Sequence, residues 1–378
     1  MRIDRVVLQR YRNLEAVDVE LGPRFSVFSG HNGAGKTNLL EAIHLIATLR
    51  SFRTSEITAL IQRGAHMATI AIDGLDPTVD VKCRLLVKLE RQGNTTRRLP
   101  MLDGKLVRPA SAFYGRVRAV LFTPEDLGVL RGPPVGRRNL IDRMVFAHER
   151  SHIEDVQIYE KLLRSRNHLL KDDRSHPVER RNLLETYERE LSRVGAKVWT
   201  RRIDALATIE QPFRAAFQAI DRAGQPCGLQ ADLAYLPRLG DVAAQERERA
   251  LLAGFEQRRH HDEQRGTTSI GPHTDDVQVT LDGTDVSTFA SQGQLRALML
   301  AFKLAELRCV RDLLGFPPVL LLDDVSSELD PERTEHLFDE LDRLTGQCIL
   351  TTTAPRFIPI SGASMRCDFA VSHGVVST

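Results

Sequence analysis

Residues 30–37, Gly30-His31-Asn32-Gly33-Ala34-Gly35-Lys36-Thr37, constrain this chain more than any other stretch. They match G-x-x-x-x-G-K-[ST] in full, with the strand-like run FSVFS before them and the amphipathic NLLEAIHLI, which begins at Asn38, after them. A glycine-rich loop between a strand and a helix turns backbone N–H groups inward around phosphate oxygens, at the positive end of the helix. Lys36 is then placed for the β- and γ-phosphates of a nucleoside triphosphate, and the Thr37 hydroxyl for Mg²⁺. The whole run from Gly30 to Asn38 is therefore the expected ATP site.

A second motif completes such a site. Val319-Leu320-Leu321-Leu322-Asp323-Asp324 is an apolar run tipped by carboxylates, the pattern of a fully buried strand in a parallel sheet. It puts Asp323 beside the Mg²⁺ at Thr37 and leaves Asp324 to orient or deprotonate an attacking water. Two aspartates capping the next helix are the plainer alternative. Some 280 residues separate the two motifs, yet both must meet at one Mg²⁺. The expected architecture is therefore an α/β head assembled from both chain ends, residues 1–125 and 265–378, around an inserted helical, short coiled-coil-like arm, residues 126–264.

The text between the ends supports an insertion. From Ser151 to about Ile220 it reads as highly charged helix, broken at Ser175-His176-Pro177. Leu184, Tyr187, Leu191, Val194 and Val198 recur at alternating spacings of three and four, a heptad seam, and Val156, Tyr159, Leu162 or Leu163 and Arg166 form a similar stripe. Two antiparallel helices are expected, with a plain helical subdomain as the alternative. Residues 131–202 carry seventeen Lys and Arg against eleven Asp and Glu, while the whole chain has a net charge of only +2. Any nucleic-acid contact must then rest on local patches, for which Arg137, Arg138, Arg180 and Arg181 are candidates.

The ends read as strands and turns. Val17, Val19 and Leu21 alternate with acids, ATIAI and VKCRLLVKL are strand-like, and Asp103-Gly104 and Asp282-Gly283 mark turns. Thr123-Pro124-Glu125-Asp126 reads as a helix start. QCILTTT at 347–353 is the expected neighbour of the 319–323 strand. No apolar run approaches the roughly 18–20 residues of a membrane span. The charged first residues lack a signal-peptide core, and five scattered cysteines without a CxxC pair suit reduced thiols in a cytoplasm.

Ser291-Gln292-Gly293-Gln294 stands, uncharged, at the mouth of the apolar run LRALMLAFKLAEL, where either a helix cap or an anion site fits. The run resembles the Leu-Ser-Gly-Gly-Gln signature of the ABC-type ATPases, and Ser327-Glu328-Leu329-Asp330 resembles their D-loop. The whole chain resembles the RecF family within that superfamily. The resemblance is carried by YRNL (11–14), GHNGAGKTNLLEAI (30–43), SFR (51–53), FTPEDL (122–127), GPHTDD (271–276), SQGQLRAL (291–298) and LLLDDVSSELD (320–330).

The resemblance implies heads that work in pairs. Ser291 and Gly293, with Gln292 and Gln294 beside them, would meet the γ-phosphate of ATP held by a second copy, and Asp330 would lie at the homodimer seam. It further implies weak, DNA-dependent ATP hydrolysis serving as a switch, and a clamp on duplex DNA next to single-stranded gaps. RecR and RecO would be partners, with RecA loading in gap repair, replication restart and the SOS response as the outcome. The alternative is an SMC-like ATPase acting as a DNA-bridging or nuclease-associated subunit. Asp324 replaces the usual Glu base, Thr352 or Thr353 stands where a switch histidine is expected, and Glu125 or Asp126 takes the Q-loop position. His273 with Asp275 and Asp276 is compatible with a metal site or with a packed turn. Trp199 is expected in packing, and His260-His261-Asp262-Glu263 at a solvated helix end.

Overall fold

The computed structural model describes residues 1–377 apart from 77–80, 94, 173–175, 224–227, 325–330, 354, 356–357 and 359–364. They form two compact units, one of Met1–Gly128, Ala216–Gly228 and Arg296–Thr378, the other of Val129–Ala215 and Leu229–Leu295.

In the first unit the chain runs through β1 (Arg2–Tyr11), β2 (Leu14–Glu20), β3 (Phe25–Ser29), α1 (Lys36–Thr48), β4 (Met67–Asp76), β5 (Val81–Gln92), β6 (Thr95–Leu102), β7 (Lys105–Leu106), β8 (Ala119–Phe122) and the single turn α2 (Asp126–Val129). The second unit holds α3 (Pro134–His148), α4 (Ser151–Leu170), most of α5 (Pro177–Ala223), β9 (Ala231–Leu236), α6 (Arg247–Arg265), β10 (Asp276–Leu281), β11 (Thr284–Asp285), α7 (Val286–Phe289) and the start of α8 (Gln292–Leu314). The first unit then resumes with β12 (Val319–Asp323), α9 (Pro331–Leu344), β13 (Gln347–Thr352), β14 (Arg366–Ser372) and β15 (Val375–Ser377).

Two six-stranded sheets build the first unit. One is antiparallel, in the order β2-β1-β4-β5-β6-β7; its last hairpin turns at Asp103 and Gly104, both at positive φ as a type I′ turn requires. The other has the order β15-β14-β3-β13-β12-β8, and its five strands from β14 to β8 are parallel. β12 is buried along its whole length, as its unbroken apolar run requires of a strand covered on both faces. QCILTT does pair with it, as β13. β13 lies between β3 and β12, so residues from both ends of the chain share one sheet edge.

The second unit departs from the expected boundaries. It begins at Val129 and extends to Leu295, and residues 216–228 cluster with the first unit. Residues 265–295, expected in the head, join the helical unit because β10 pairs along its length with β9, and Arg137 of α3 grips Asp276 at the start of β10. The unit is thus helical with a small antiparallel sheet, β11-β10-β9. The seam residues Leu184, Leu191, Val194 and Val198 are buried, whereas Tyr187 is half-buried and its neighbour Glu188 turns inward. Tyr159 of α4, Leu191, Val194 and Trp199 of α5, and Leu251 and Phe255 of α6 share one core with Ile270. Three helices, not two, therefore close the seam, and α6 supplies the wall that two heptads alone lack.

The stripe position Arg166 is fully buried. Its guanidinium donates to Glu188 at 2.9 Å, to Asp262 at 2.9 Å and to the Thr268 hydroxyl at 2.7 Å, and it lies 5.4 Å from the Phe255 ring centroid. The expected solvated end at 260–263 is thereby corrected: Asp262 is buried because it neutralises Arg166. Trp199, 1% exposed beneath the Arg247 guanidinium, is a packing residue. Among the described residues no helix is long and apolar enough to cross a membrane.

Candidate functional site: a phosphate loop and a strand-end carboxylate

The phosphate loop leaves the C-terminal end of β3, and Asp323 ends β12. Parallel register aligns Ser29 with Thr352 and Thr351 with Asp323 across the intervening β13. The Thr37 hydroxyl consequently donates to Asp323 Oδ1 at 3.0 Å, although 286 residues separate them. Ligand sites of open parallel sheets form at such strand ends.

The loop is shaped for its glycines. A Cβ on Gly30 would lie 2.1 Å from the Val371 carbonyl oxygen. Gly35, the N-cap of α1, sits at φ 119°, where a Cβ would meet Leu14 and Asn13. No side chain caps the first turn of α1, an arrangement that suits an anion at its N–H groups. Lys36 is buried and its ammonium donates to the carbonyls of Gly30 (2.7 Å) and His31 (3.1 Å). Burial lowers its pKa, and the carboxylates of Asp324 and Asp323 work against that shift. The donor set fits ATP and Mg²⁺: hard oxygens from Thr37 and Asp323 suit a cation that keeps most of its waters and takes only one or two protein carboxylates. Among the described residues no cluster of three or more His, Cys, Asp or Glu offers a competing metal site.

Thr351 is the hub that sequence reading missed. Its hydroxyl donates to Asp323 Oδ1 at 2.6 Å and accepts from the Asp324 amide at 3.0 Å. Burial raises the Asp323 pKa; the hydroxyl bonds from Thr351 and Thr37 oppose this, and the charges of Glu125 and Asp324 add to it. Glu125 thus acts on the carboxylate electrostatically, while Asp126 instead caps its own turn by accepting from the Thr123 amide at 3.1 Å. Asp324 has φ 40°, a left-handed backbone uncommon outside glycine, asparagine and aspartate. Asp323→Asn is expected to leave the nucleotide-free melting temperature unchanged or raised, because a desolvated carboxylate is removed. The same change is expected to abolish the extra stabilisation that Mg²⁺ confers with ATP, a difference read by thermal melting with and without Mg²⁺.

A relay from the opposite side steadies the loop. Arg53 donates to Asn38 (2.8 Å), Asn38 to Asn13 (2.7 Å), and Asn13 to the Gly33 carbonyl (3.1 Å). Arg12 forms a two-pronged pair with fully buried Glu41 of α1, at 2.7 and 2.9 Å. YRNL and SFR thereby have a physical role beside the phosphate loop.

The signature run lies in the second unit. Ser291 Oγ accepts from the Gln294 amide at 3.2 Å, and Gln294 Oε1 accepts from the Ser291 amide at 2.8 Å, a reciprocal capping box at the start of α8. Of the two readings, the cap is the one these contacts form. The serine hydroxyl keeps its donor capacity while it accepts. Asp330, with the rest of Ser327-Glu328-Leu329-Asp330, lies outside the described residues.

The model of the RecF/RecN/SMC N-terminal domain family matches residues 2–369. The chain is 37% identical to the DNA replication and repair protein RecF of Anaeromyxobacter sp. (strain Fw109-5), over all of this chain and 99% of that one. The chain belongs to the RecF family. The relative from Geobacter sulfurreducens (strain ATCC 51573 / DSM 12127 / PCA) is 36% identical, with both chains covered in full. A solved structure of the recombination mediator protein RecF with ATP, in the RecFOR pathway, superposes with a TM-score of 0.86 at 26% identity, covering 100% of this chain and 97% of the other. An Smc head bound to the C-terminal winged-helix domain of ScpA shares the fold alone, with a TM-score of 0.56 at 16% identity over 100% of this chain and 96% of the other.

Other candidates in this RecF-family chain have structural partners. His273 bonds the Tyr159 hydroxyl (2.8 Å) and the Thr268 carbonyl (3.1 Å), and burial pushes its pKa down to about 4. Asp275 accepts from Tyr235 and the Arg238 amide, and Asp276 from Arg137, so GPHTDD is a packed turn whose polar groups face different partners. The four arginines that are candidates for DNA contact all have partners within the chain. Arg137 is held by Asp276 and two carbonyls, Arg138 by the Asp275 carbonyl, and Arg180 by the carbonyls of Leu169 and Leu170. Arg181 pairs, among the described residues, with Glu185 one turn on, and its side chain is 72% exposed. Of the four, Arg181 alone is exposed. Thr352, one of the two threonines where a switch histidine is expected, is buried at the end of β13, and its main-chain carbonyl accepts from the Gly30 amide at 3.3 Å.

Proposed function

We propose that this chain is an ATP-dependent recombination mediator that acts on DNA as a homodimer. The observation that carries the reading is the 3.0 Å approach of the Thr37 hydroxyl to Asp323, from opposite ends of the chain, beside an uncapped helix start. When bound, ATP supplies a triphosphate for the N–H groups of α1 and, with Mg²⁺, a charge that Lys36, Thr37 and Asp323 are placed to hold. Lys36 exchanges the carbonyls of Gly30 and His31 for phosphate oxygens. Asp324 orients the water, and Thr351 fixes both carboxylate-bearing residues from β13.

Ser291 and Gly293 of one copy meet the nucleotide held by the other copy's Lys36, so ATP favours the dimer by mass action. The dimer clamps DNA at single-strand gaps and junctions through backbone contacts, RecR and RecO act with it, and RecA loading follows. Slow hydrolysis releases the clamp. Aspartate at 324 is one methylene shorter than glutamate, and threonine at 352 titrates nowhere near neutral pH, which together suit a switch rather than a motor.

Ser291→Arg tests the pairing. The variant is expected to bind ATP as a monomer with unchanged affinity, yet to remain monomeric in sedimentation at ATP and Mg²⁺ concentrations that pair the parent chain. The introduced guanidinium would place a bulky cation where the second copy must approach. Normal ATP-induced pairing of this variant would overturn the assignment of the signature run to the partner's site.

A further inference from the structure

Phe289 is 77% exposed, the most exposed of the large apolar side chains among the described residues. Its place in the chain gives that exposure a meaning. It ends α7, two residues before Ser291, within the stretch Val286–Leu295, which carries no charged side chain although 27% of the protein's residues are charged. Interfaces that desolvate fully are poor in charge at their centre and rich in aromatic side chains.

The segment is also held still. Asp285 caps α7, accepting from the Ser287 amide at 2.8 Å. The Ala290 amide donates to Val286 at 3.3 Å, Arg131 donates to the Ala290 carbonyl, and the Ser291–Gln294 capping box follows at once. Ala290 itself is buried, so the backbone on the far side of Phe289 is anchored while the ring points outward. An aromatic presented on fixed backbone loses little conformational freedom on binding, the condition under which one side chain dominates an interface.

We propose that Phe289 is the apolar anchor of the ATP-dependent homodimer, inserted into the surface of a second copy of this chain. The inference rests on the reading that Ser291 completes the partner's nucleotide site. A copy that reaches Ser291 arrives within two residues of the ring, so the same copy serves to bury it. ATP then supplies the condition for pairing through Ser291, and Phe289 supplies tightness that does not depend on the phosphate.

The test compares the parent chain with Phe289→Ala, Phe289→Tyr and Ser291→Arg by sedimentation velocity at saturating ATP and Mg²⁺. Binding of a fluorescent ATP analogue is measured in parallel, at protein concentrations too low for pairing. Because both copies lose the ring, Phe289→Ala is expected to weaken the dimer about 100- to 10,000-fold with the monomer's nucleotide affinity unchanged, and Phe289→Tyr, which keeps the ring, to restore pairing. A Phe289→Ala chain that pairs as tightly as the parent would overturn the anchor while leaving the ATP-dependent dimer intact. A weakened Phe289→Ala whose pairing Phe289→Tyr does not restore would also overturn it. If the parent chain itself fails to pair with ATP, the reading beneath the proposal fails with it.

Discussion

Replacing Lys36 with alanine is expected to lower ATP affinity by at least about 100-fold. Hydrogen bonds to charged groups contribute roughly 1.5–3 kcal/mol each, and an ammonium bridging two phosphates makes at least two of them. A loss near 3 kcal/mol corresponds to about two decades in the dissociation constant. Stability without nucleotide should change little. The substitution removes donors from the Gly30 and His31 carbonyls, but it also removes a cation whose burial already disfavours its charge. Calorimetric titration with ATP and Mg²⁺, beside a melting curve without nucleotide, separates the two effects. An affinity within threefold of the parent's would mean that phosphate is not held at this loop.

Arg166→Ala is expected to be the most destabilising single change in the helical unit, costing about 3–5 kcal/mol. The guanidinium, Glu188 and Asp262 are all fully buried, so truncation strands two carboxylates in the core. Glu188 keeps Arg259 as a partner, whereas among the described residues Asp262 keeps no basic side chain nearer than the His261 ring at 3.7 Å. Ionised groups stranded at low dielectric either take up protons or draw in water, and both oppose folding. Urea denaturation followed by the fluorescence of Trp199, which shares this core, reads the change directly, since the chain has only that tryptophan. A loss below about 1 kcal/mol would show that the network adds little beyond packing. Replacing Arg166, Glu188 and Asp262 together by apolar residues of similar volume is expected to recover most of the loss, as buried ion clusters are often no more stable than apolar ones.

Why these two sites differed in legibility is physical. The phosphate loop is contiguous, and its glycines, lysine and threonine are demanded by backbone geometry and phosphate chemistry, so one line of sequence specifies them. Asp323 was legible because an unbroken apolar run announces a buried strand whose end must be polar. Thr351 carried no such mark: QCILTTT offers three threonines, and only the parallel register of β13 between β3 and β12 decides which hydroxyl meets Asp323. Asn13 and Arg53 were visible within short motifs, yet their purpose depends on an approach to Gly33 and Asn38 that spacing does not encode.

The second unit was less legible for a related reason. Heptad spacing revealed α5 but not how many helices close on it, because α6 is too densely charged to advertise a face. Its Asp262 looked solvated beside His260, His261 and Glu263 and is instead the counter-charge of an arginine 96 residues earlier. Arg137 and Arg138 stood out by charge alone, and their partners within the fold, Asp276 and the Asp275 carbonyl, lie more than 130 residues away in sequence. Charge on a sequence says nothing about which charges find each other on folding.

The signature run combines both situations. Its capping box is local and complete within one chain, whereas its proposed ligand belongs to another. Sedimentation velocity of the parent chain with and without ATP and Mg²⁺ tests that central claim most directly. A monomer without nucleotide that becomes a dimer at saturating ATP is the predicted result. A monomer at saturating ATP, or a dimer indifferent to ATP, would contradict it.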